Sequence, residues 1–142
     1  MQPTEVIEGL VWLGNYLDAN NDMFLKSKNI RVIINCAGDQ EATRLNGFVY
    51  RQLNAYDDVR YPLLDKHSYQ TCHLLATAVQ RGDPVLIHCA AGINRSACLL
   101  VDFLATSTKR PIHRIIEWLR TIRPGVLSNY GFVDQLVKKY GQ

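Results

Sequence analysis

Apolar and polar positions follow two rhythms along the chain. Short runs dense in β-branched and aromatic residues come at "LVWLGN" (Leu10 to Asn15), "IRVIINCA" (Ile30 to Ala37), "FVYRQLNA" (Phe48 to Ala55) and "VLIH" (Val85 to His88). Runs of this length and makeup predict strands, and the near-unbroken apolarity of Ile30 to Ala37 predicts a central, buried one. The second rhythm is helical. Tyr69, Cys72, Leu75, Ala76 and Val79 recur at helical spacing between Asp65 and Arg81, with Gly82 as the stop. A short helix is predicted over Asp22 to Lys28, behind asparagine caps and ahead of Asn29. Three more follow: Ser96 to Ala105, a segment opening near Pro111 and ending before "RPG" (Arg123 to Gly125), and a last one capped by Asn129. On that last helix Phe132, Val133, Leu136, Val137 and Tyr140 make one apolar face, which is packing. "YDDVRYP" (Tyr56 to Pro62), acidic and broken by proline, reads as a loop.

Strands alternating with helices, then a helical C-terminal half, predict an α/β sheet covered on both faces, with ligands at the carboxyl ends of its strands. At 142 residues, with no repeat, linker or low-complexity stretch, the chain reads as one domain, 1–142. Hydrophobic residues at 47% and charged ones at 20% fit a soluble protein. No apolar run nears the roughly 20 residues that span a bilayer. Gln2 stands where myristoylation needs glycine, and no secretory pattern opens the chain, so the expected setting is cytoplasmic or nuclear, with no membrane partner.

A net charge of +3, without any basic run, argues against nucleic acid and is compatible with an anionic substrate. Cys36, Cys72, Cys89 and Cys98 form no C-x-x-C pair and are expected to be reduced. A zinc site from His88, Cys89, Cys98 and His113 would have a spacing that fits no common ligand pattern, so neither metal nor cofactor is expected. Cys72 and Cys98 read as core, His67, His73 and His113 as surface or helix-face residues, and Cys36 as packing at a strand end, a redox pairing with Cys89 being the minority reading.

The chemistry concentrates in "HCAAGINRSA" (His88 to Ala97), where a strand turns abruptly into a helix. If Ala90, Ala91, Gly92, Ile93 and Asn94 curl with their N–H groups inward, the loop and the helix N-terminus form an anion cradle. Gly92 and the two alanines suit close backbone approach, and the planar fork of Arg95 matches two oxygens of a phosphate. The same donors would make Cys89 a thiolate. His88 is expected to orient the cysteine, and Ser96 to donate to the sulfur as a phosphocysteine is hydrolysed.

His88-Cys89-x5-Arg95-Ser96 resembles the signature of the cysteine-dependent protein phosphatases, and "HCAAGINRSA" is most similar to their compact dual-specificity branch. The resemblance covers nearly the whole chain: "IEGLVWLGNYLDA" resembles the opening strands of that family, "IRVIINCA" the following strand and "RPGVLSNYGFVDQL" its C-terminal segment. It implies a protein tyrosine phosphatase-like fold, a central sheet of about five strands with helices on both faces. It also implies a phosphorylated protein as substrate and an aspartate on a mobile loop as general acid. Asp57 and Asp58 are the candidates. The pattern of acid, polar residues and an apolar pair favours Asp57, followed by Leu63 and Leu64. Asn129, a helix cap on its own reading, fixes a backbone turn beside the site in the resemblance. No segment resembles the tyrosine-recognition loop of the larger branch, which predicts a site shallow enough for phosphoserine and phosphothreonine as well as phosphotyrosine. Two alternatives stay open: a phosphoinositide or RNA phosphatase on the same fold, and a phosphate-binding pseudoenzyme. The uncharged Ala90, Ala91, Ile93 and Asn94 weigh against the first, and the intact Cys89, Arg95 and Ser96 against the second. Oligomeric state is not readable.

Overall fold

In the computed structural model, which describes residues 1–40 and 44–141, the strands are β1 (Thr4–Ile7), β2 (Val11–Gly14), β3 (Val32–Ala37), β4 (Val49–Ala55) and β5 (Val85–His88). They form one sheet in the order β1-β2-β5-β3-β4. β1 is antiparallel to β2, and every other neighbouring pair is parallel. β5 therefore lies between β2 and β3, with Val85 opposite both Val11 and Val32, and His88 opposite both Gly14 and Asn35. A strand walled in on both edges and both faces favours apolar residues, and all of β5 is buried, with His88 the one polar residue at its carboxyl end.

Alternation along the strands sorts the core into two layers. Trp12, Ile33 and Leu86 point to one face, where α1 (Tyr16–Ala19) and α2 (Asp22–Ser27) cover them with Ala19 and Leu25. Val11, Leu13, Ile34, Cys36, Val85 and Ile87 point to the other. There they meet α3 (Leu63–Arg81), α4 (Arg95–Thr108), α5 (Ile112–Ile122) and α6 (Tyr130–Tyr140). α4 is the central helix of that layer, buried from Arg95 through Ala105, as a helix with apolar residues nearly all round must be. Its middle locks α6 in place: Lys139 Nζ donates to the fully buried Asp102 Oδ1 at 2.8 Å, and the Tyr140 hydroxyl reaches the same carboxylate.

The α/β sheet with helices on both faces matches the expectation, while several boundaries move. β1 has an exposed glutamate at its second position and little apolar rhythm; pairing with β2 defines it, and the Glu5 carboxylate accepts from Gly9 N–H at 2.8 Å to close the hairpin. α1 is a single turn made by a capping box, in which Asn15 Oδ1 accepts from Asp18 N–H and Asp18 Oδ2 from Asn15 N–H, both at 2.9 Å. α4 outruns its apolar stripe to Thr108 and stops where Lys109 turns left-handed with its N–H donating to Ala105 C=O at 3.1 Å; the Ser107 and Thr108 hydroxyls bond back to the carbonyls of Phe103 and Leu104 at 2.8 and 2.6 Å. Gly82 ends α3 in the left-handed region, as expected. Among the described residues no helix is long and apolar enough to cross a membrane.

Candidate active site

β2, β3, β4 and β5 are mutually parallel, so their carboxyl ends open on one side of the sheet. The chain leaves those ends through Asn15 and Asp18, through Asp39, through Asp57 and through Cys89. The polar residues of this edge come from four separate stretches of sequence, and topology alone unites them.

The loop after β5 is shaped by where its carbonyls go. Ala90 C=O accepts from Tyr16 N–H at 3.3 Å and Ile93 C=O from Leu127 N–H at 2.9 Å. Arg123 donates from Nε to Gly92 C=O at 2.8 Å and from Nη2 to Ala91 C=O at 3.4 Å. Asn94 C=O begins the ladder of α4 by accepting from Cys98 N–H at 2.8 Å. With every carbonyl from Ala90 to Asn94 drawn away, the N–H groups of the same residues are left without a partner among the described residues. Gly92 turns the loop at a φ of 68°, and a Cβ there would lie 2.3 Å from Gly14 O, so the loop closes against the end of β2 only with glycine.

Cys89, 2% exposed, begins this ring, and its Sγ lies 3.1 Å from Ser96 Oγ in the first turn of α4. Arg95 closes it. Its Nη1 donates to Asp39 Oδ1 at 2.7 Å and to Ala55 C=O at 3.2 Å, while Nε is buried without a partner among the described residues. Burial opposes the charge on Arg95, yet the Asp39 hydrogen bond and the nearby Cys89 and Asp57 outweigh it and raise the guanidinium pKa. His88 has its ring buried beneath the loop, with Nδ1 3.4 Å from Cys89 C=O, and burial pushes its pKa down to about 4, so it is neutral.

The two adjacent aspartates are placed differently. Asp57 turns toward the loop, accepting from Asn94 Nδ2 at 3.1 Å and from Asn129 Nδ2 at 2.7 Å. Asp58 caps its own turn, accepting from Arg60 N–H at 2.8 Å. Asn129 also keeps its capping role, with Oδ1 3.3 Å from Phe132 N–H, and Asn94 Oδ1 accepts from Asn129 N–H at 2.9 Å. Cys36 lies one residue beyond the Asn35–His88 pair, on the strand beside Cys89, wholly buried, and burial raises its thiol pKa well above the ordinary value. Cys98 is likewise buried and raised, and Cys72 is pushed up to about 11. All four cysteines are free.

Arg123 and Asp39 escape sequence reasoning. "RPG" reads as a helix stop, and nothing in the local pattern says that its arginine is fully buried behind the loop; the partners at Ala91, Gly92, Gln2 and Thr4 are all distant in sequence. The one available signal was the "RPG" that opens the family-like C-terminal segment.

A thiol at the head of a loop whose amides are left unpartnered, with a buried arginine at its foot and a hydroxyl beside the sulfur, suits a cysteine-dependent phosphatase. The chain belongs to the dual specificity phosphatase family, whose catalytic-domain model matches residues 11–142. It is 31% identical over 136 residues to MAP kinase phosphatase with leucine-rich repeats protein 3 of Dictyostelium discoideum, covering 96% of this chain and 16% of that protein. A probable dual specificity protein phosphatase of the same organism is 30% identical over 138 residues, covering 89% of this chain and 59% of its own length. The chain thus spans less than two thirds of either relative. The crystal structure of DUSP15 superposes with a TM-score of 0.90 at 26% identity, covering 98% of this chain and 87% of that one.

Proposed function

We propose that residues 1–142 act as one catalytic unit that hydrolyses phosphate monoesters on proteins, phosphotyrosine and also phosphoserine and phosphothreonine, through a phosphocysteine intermediate. The observation that carries this reading is the loop itself: every carbonyl from Ala90 to Asn94 is bonded, the N–H groups of the same residues have no partner among the described residues, and Arg95, at 4% exposure, has an unpartnered Nε. Such donors, fixed in place beforehand, suit three phosphoryl oxygens. Inclusion of the first ten residues is supported by Arg123, whose Nη1 donates to Gln2 C=O at 2.9 Å and to Thr4 Oγ1 at 3.0 Å, tying the N-terminus to the back of the loop.

In the first step the Cys89 thiolate attacks phosphorus, an S–P bond forms, the P–O bond to the side chain breaks, and Asp57 gives its proton to the departing oxygen. In the second step water attacks phosphorus, Asp57 takes the proton, the S–P bond breaks and Ser96 donates to the released thiolate. Arg95 and the amides of residues 90–95 hold the equatorial oxygens throughout. Asn94 and Asn129 hold the Asp57 carboxyl at the mouth, and His88, neutral, stays a packing and orienting group. Asp58 shapes the turn.

Cys89→Ser tests the covalent step: turnover should vanish while binding of inorganic phosphate persists, because the cradle survives without an ionised nucleophile. Asp57→Ala tests the acid. It should lower turnover of a phosphotyrosine peptide about a hundredfold and cost far less on an activated aryl phosphate, whose leaving group needs no proton. Asp58→Ala should show no such dependence on leaving group; if it alone does, the acid is Asp58.

A further inference from the structure

The acid loop between β4 and α3 lies against the first two turns of α6. A Cβ at Gly131 would fall 1.9 Å from Val59 O and 2.7 Å from its carbonyl carbon, so the loop backbone runs over the helix where only glycine leaves room. One turn further, on the same face, Gln135 uses both ends of its amide. Its Nε2 donates to Tyr61 C=O at 2.7 Å, and its Oε1 accepts from Leu64 N–H at 3.1 Å. That second bond fills a gap: α3 starts after Pro62 with no side-chain cap of its own, so Gln135 supplies from another helix one partner that its first turn lacks. Together with Asn129 on Asp57, α6 holds the loop at positions 129, 131 and 135. The helix is a fixed platform, with Phe132 and Leu136 fully buried and Lys139 and Tyr140 bonded to Asp102.

We propose that Gln135 and Gly131 are positioning residues for the general acid, acting through Val59, Tyr61 and Leu64 to set where the Asp57 carboxyl stands over Cys89. The inference rests on the reading of Asp57 above. Here the acid is set by contacts to a helix that packs into the core. A displacement of about 1 Å at a reacting group can cost about a hundredfold, so two hydrogen bonds and a steric stop some residues away are enough to matter.

The test is a leaving-group comparison with a double-mutant cycle. Gln135→Met removes both polar contacts at similar length, and Gln135→Glu is a second variant, suited to a helix, that keeps the acceptor for Leu64 N–H and loses the donor to Tyr61 C=O. Each should lower kcat on a phosphotyrosine peptide by about tenfold or more while changing an activated aryl phosphate much less, and each should weaken the alkaline limb of the pH profile. Gly131→Ala should give the same signature. In an Asp57→Asn background Gln135→Met should cause no further loss, since it works only through that carboxyl. Equal losses on both substrates, or losses that add to those of Asp57→Asn, overturn the positioning role and leave the acid assignment standing. Absence of leaving-group dependence in Asp57→Asn itself overturns the acid assignment and the inference with it.

Discussion

Arg95 and Arg123 are both buried, at 4% and 0% exposure, and both grip the loop that carries Cys89. They do so from opposite sides and in opposite states of satisfaction. Behind the loop, Arg123 spreads its donors over the carbonyls of Gly92, Ala91 and Gln2 and the Thr4 hydroxyl, so its charge is spent on fixing the backbone. In front, Arg95 has an orphan Nε and leans on Asp39, a carboxylate 58% exposed. A buried guanidinium with a partner at every nitrogen fixes structure, whereas one with an unpartnered nitrogen, here at the N-terminus of α4, suits the phosphate-clamp role proposed above. The loop joins the two, for Arg123 holds the carbonyls of Ala91 and Gly92, and under the proposed function the loop amides left without partners share a phosphate with Arg95.

Substituting each arginine separates the roles. Arg95→Lys keeps the charge and loses the fork, so turnover should fall about a hundred- to a thousandfold, the range for a lost oxyanion donor, with the melting temperature nearly unchanged. Steady-state kinetics beside a thermal melt decides it, and near-normal turnover would remove Arg95 from the oxyanion clamp. Arg123→Met should reverse the pattern. Leaving several buried carbonyls without donors should cost about 3 kcal/mol of stability, lowering the melting temperature by about 10 °C, while the molecules that remain folded lose turnover less than Arg95→Lys does. An unaltered melt would show that the loop holds its shape without a backing cation.

The contrast also explains what the sequence could convey. Cys89, Arg95 and Ser96 lie within one uninterrupted stretch, where a strand, a small-residue loop and a helix N-terminus generate their arrangement locally, so residue type and spacing were enough to nominate them. The strands β2, β3 and β5 were legible because burial on two faces demands apolar runs, whereas β4, at the sheet edge, was legible from its β-branched and aromatic residues although only Leu53 and Ala55 are fully buried. Arg123 and Gln135 were marked only as parts of the family-like C-terminal segment, without their roles, and Asp39 not at all, because each acts on chain distant in sequence: Arg123 meets Gln2, Gln135 meets Tyr61, and Asp39 meets Arg95. The neighbours Asp57 and Asp58 fall between these cases. Their sequence context separates them only weakly, and the amides of Asn94 and Asn129 are what draw Asp57 alone toward the loop.

Asp39 offers the smallest and finest test of the two-arginine contrast. Its carboxyl sits 2.7 Å from Arg95 Nη1, and that hydrogen bond holds its pKa below the usual carboxylate range. The stabilisation is therefore complete above the ordinary pKa of about 4 and is lost as pH falls through the lower folded value; exposure and screening keep it small. Its larger consequence is for the ligand, because a carboxylate on the guanidinium offsets part of the charge that an incoming phosphate dianion would meet. Asp39→Asn keeps an oxygen that can accept from Nη1, so Arg95 should stay in place while the competing charge disappears. Inhibition by inorganic phosphate should then strengthen about two- to fivefold at low ionic strength, the scale of an exposed ion pair, and the gain should shrink as salt is added. Weaker inhibition in Asp39→Asn would mean that the carboxylate serves chiefly to hold the arginine, which would make Arg95 dependent on a partner for its shape, much as the loop depends on Arg123.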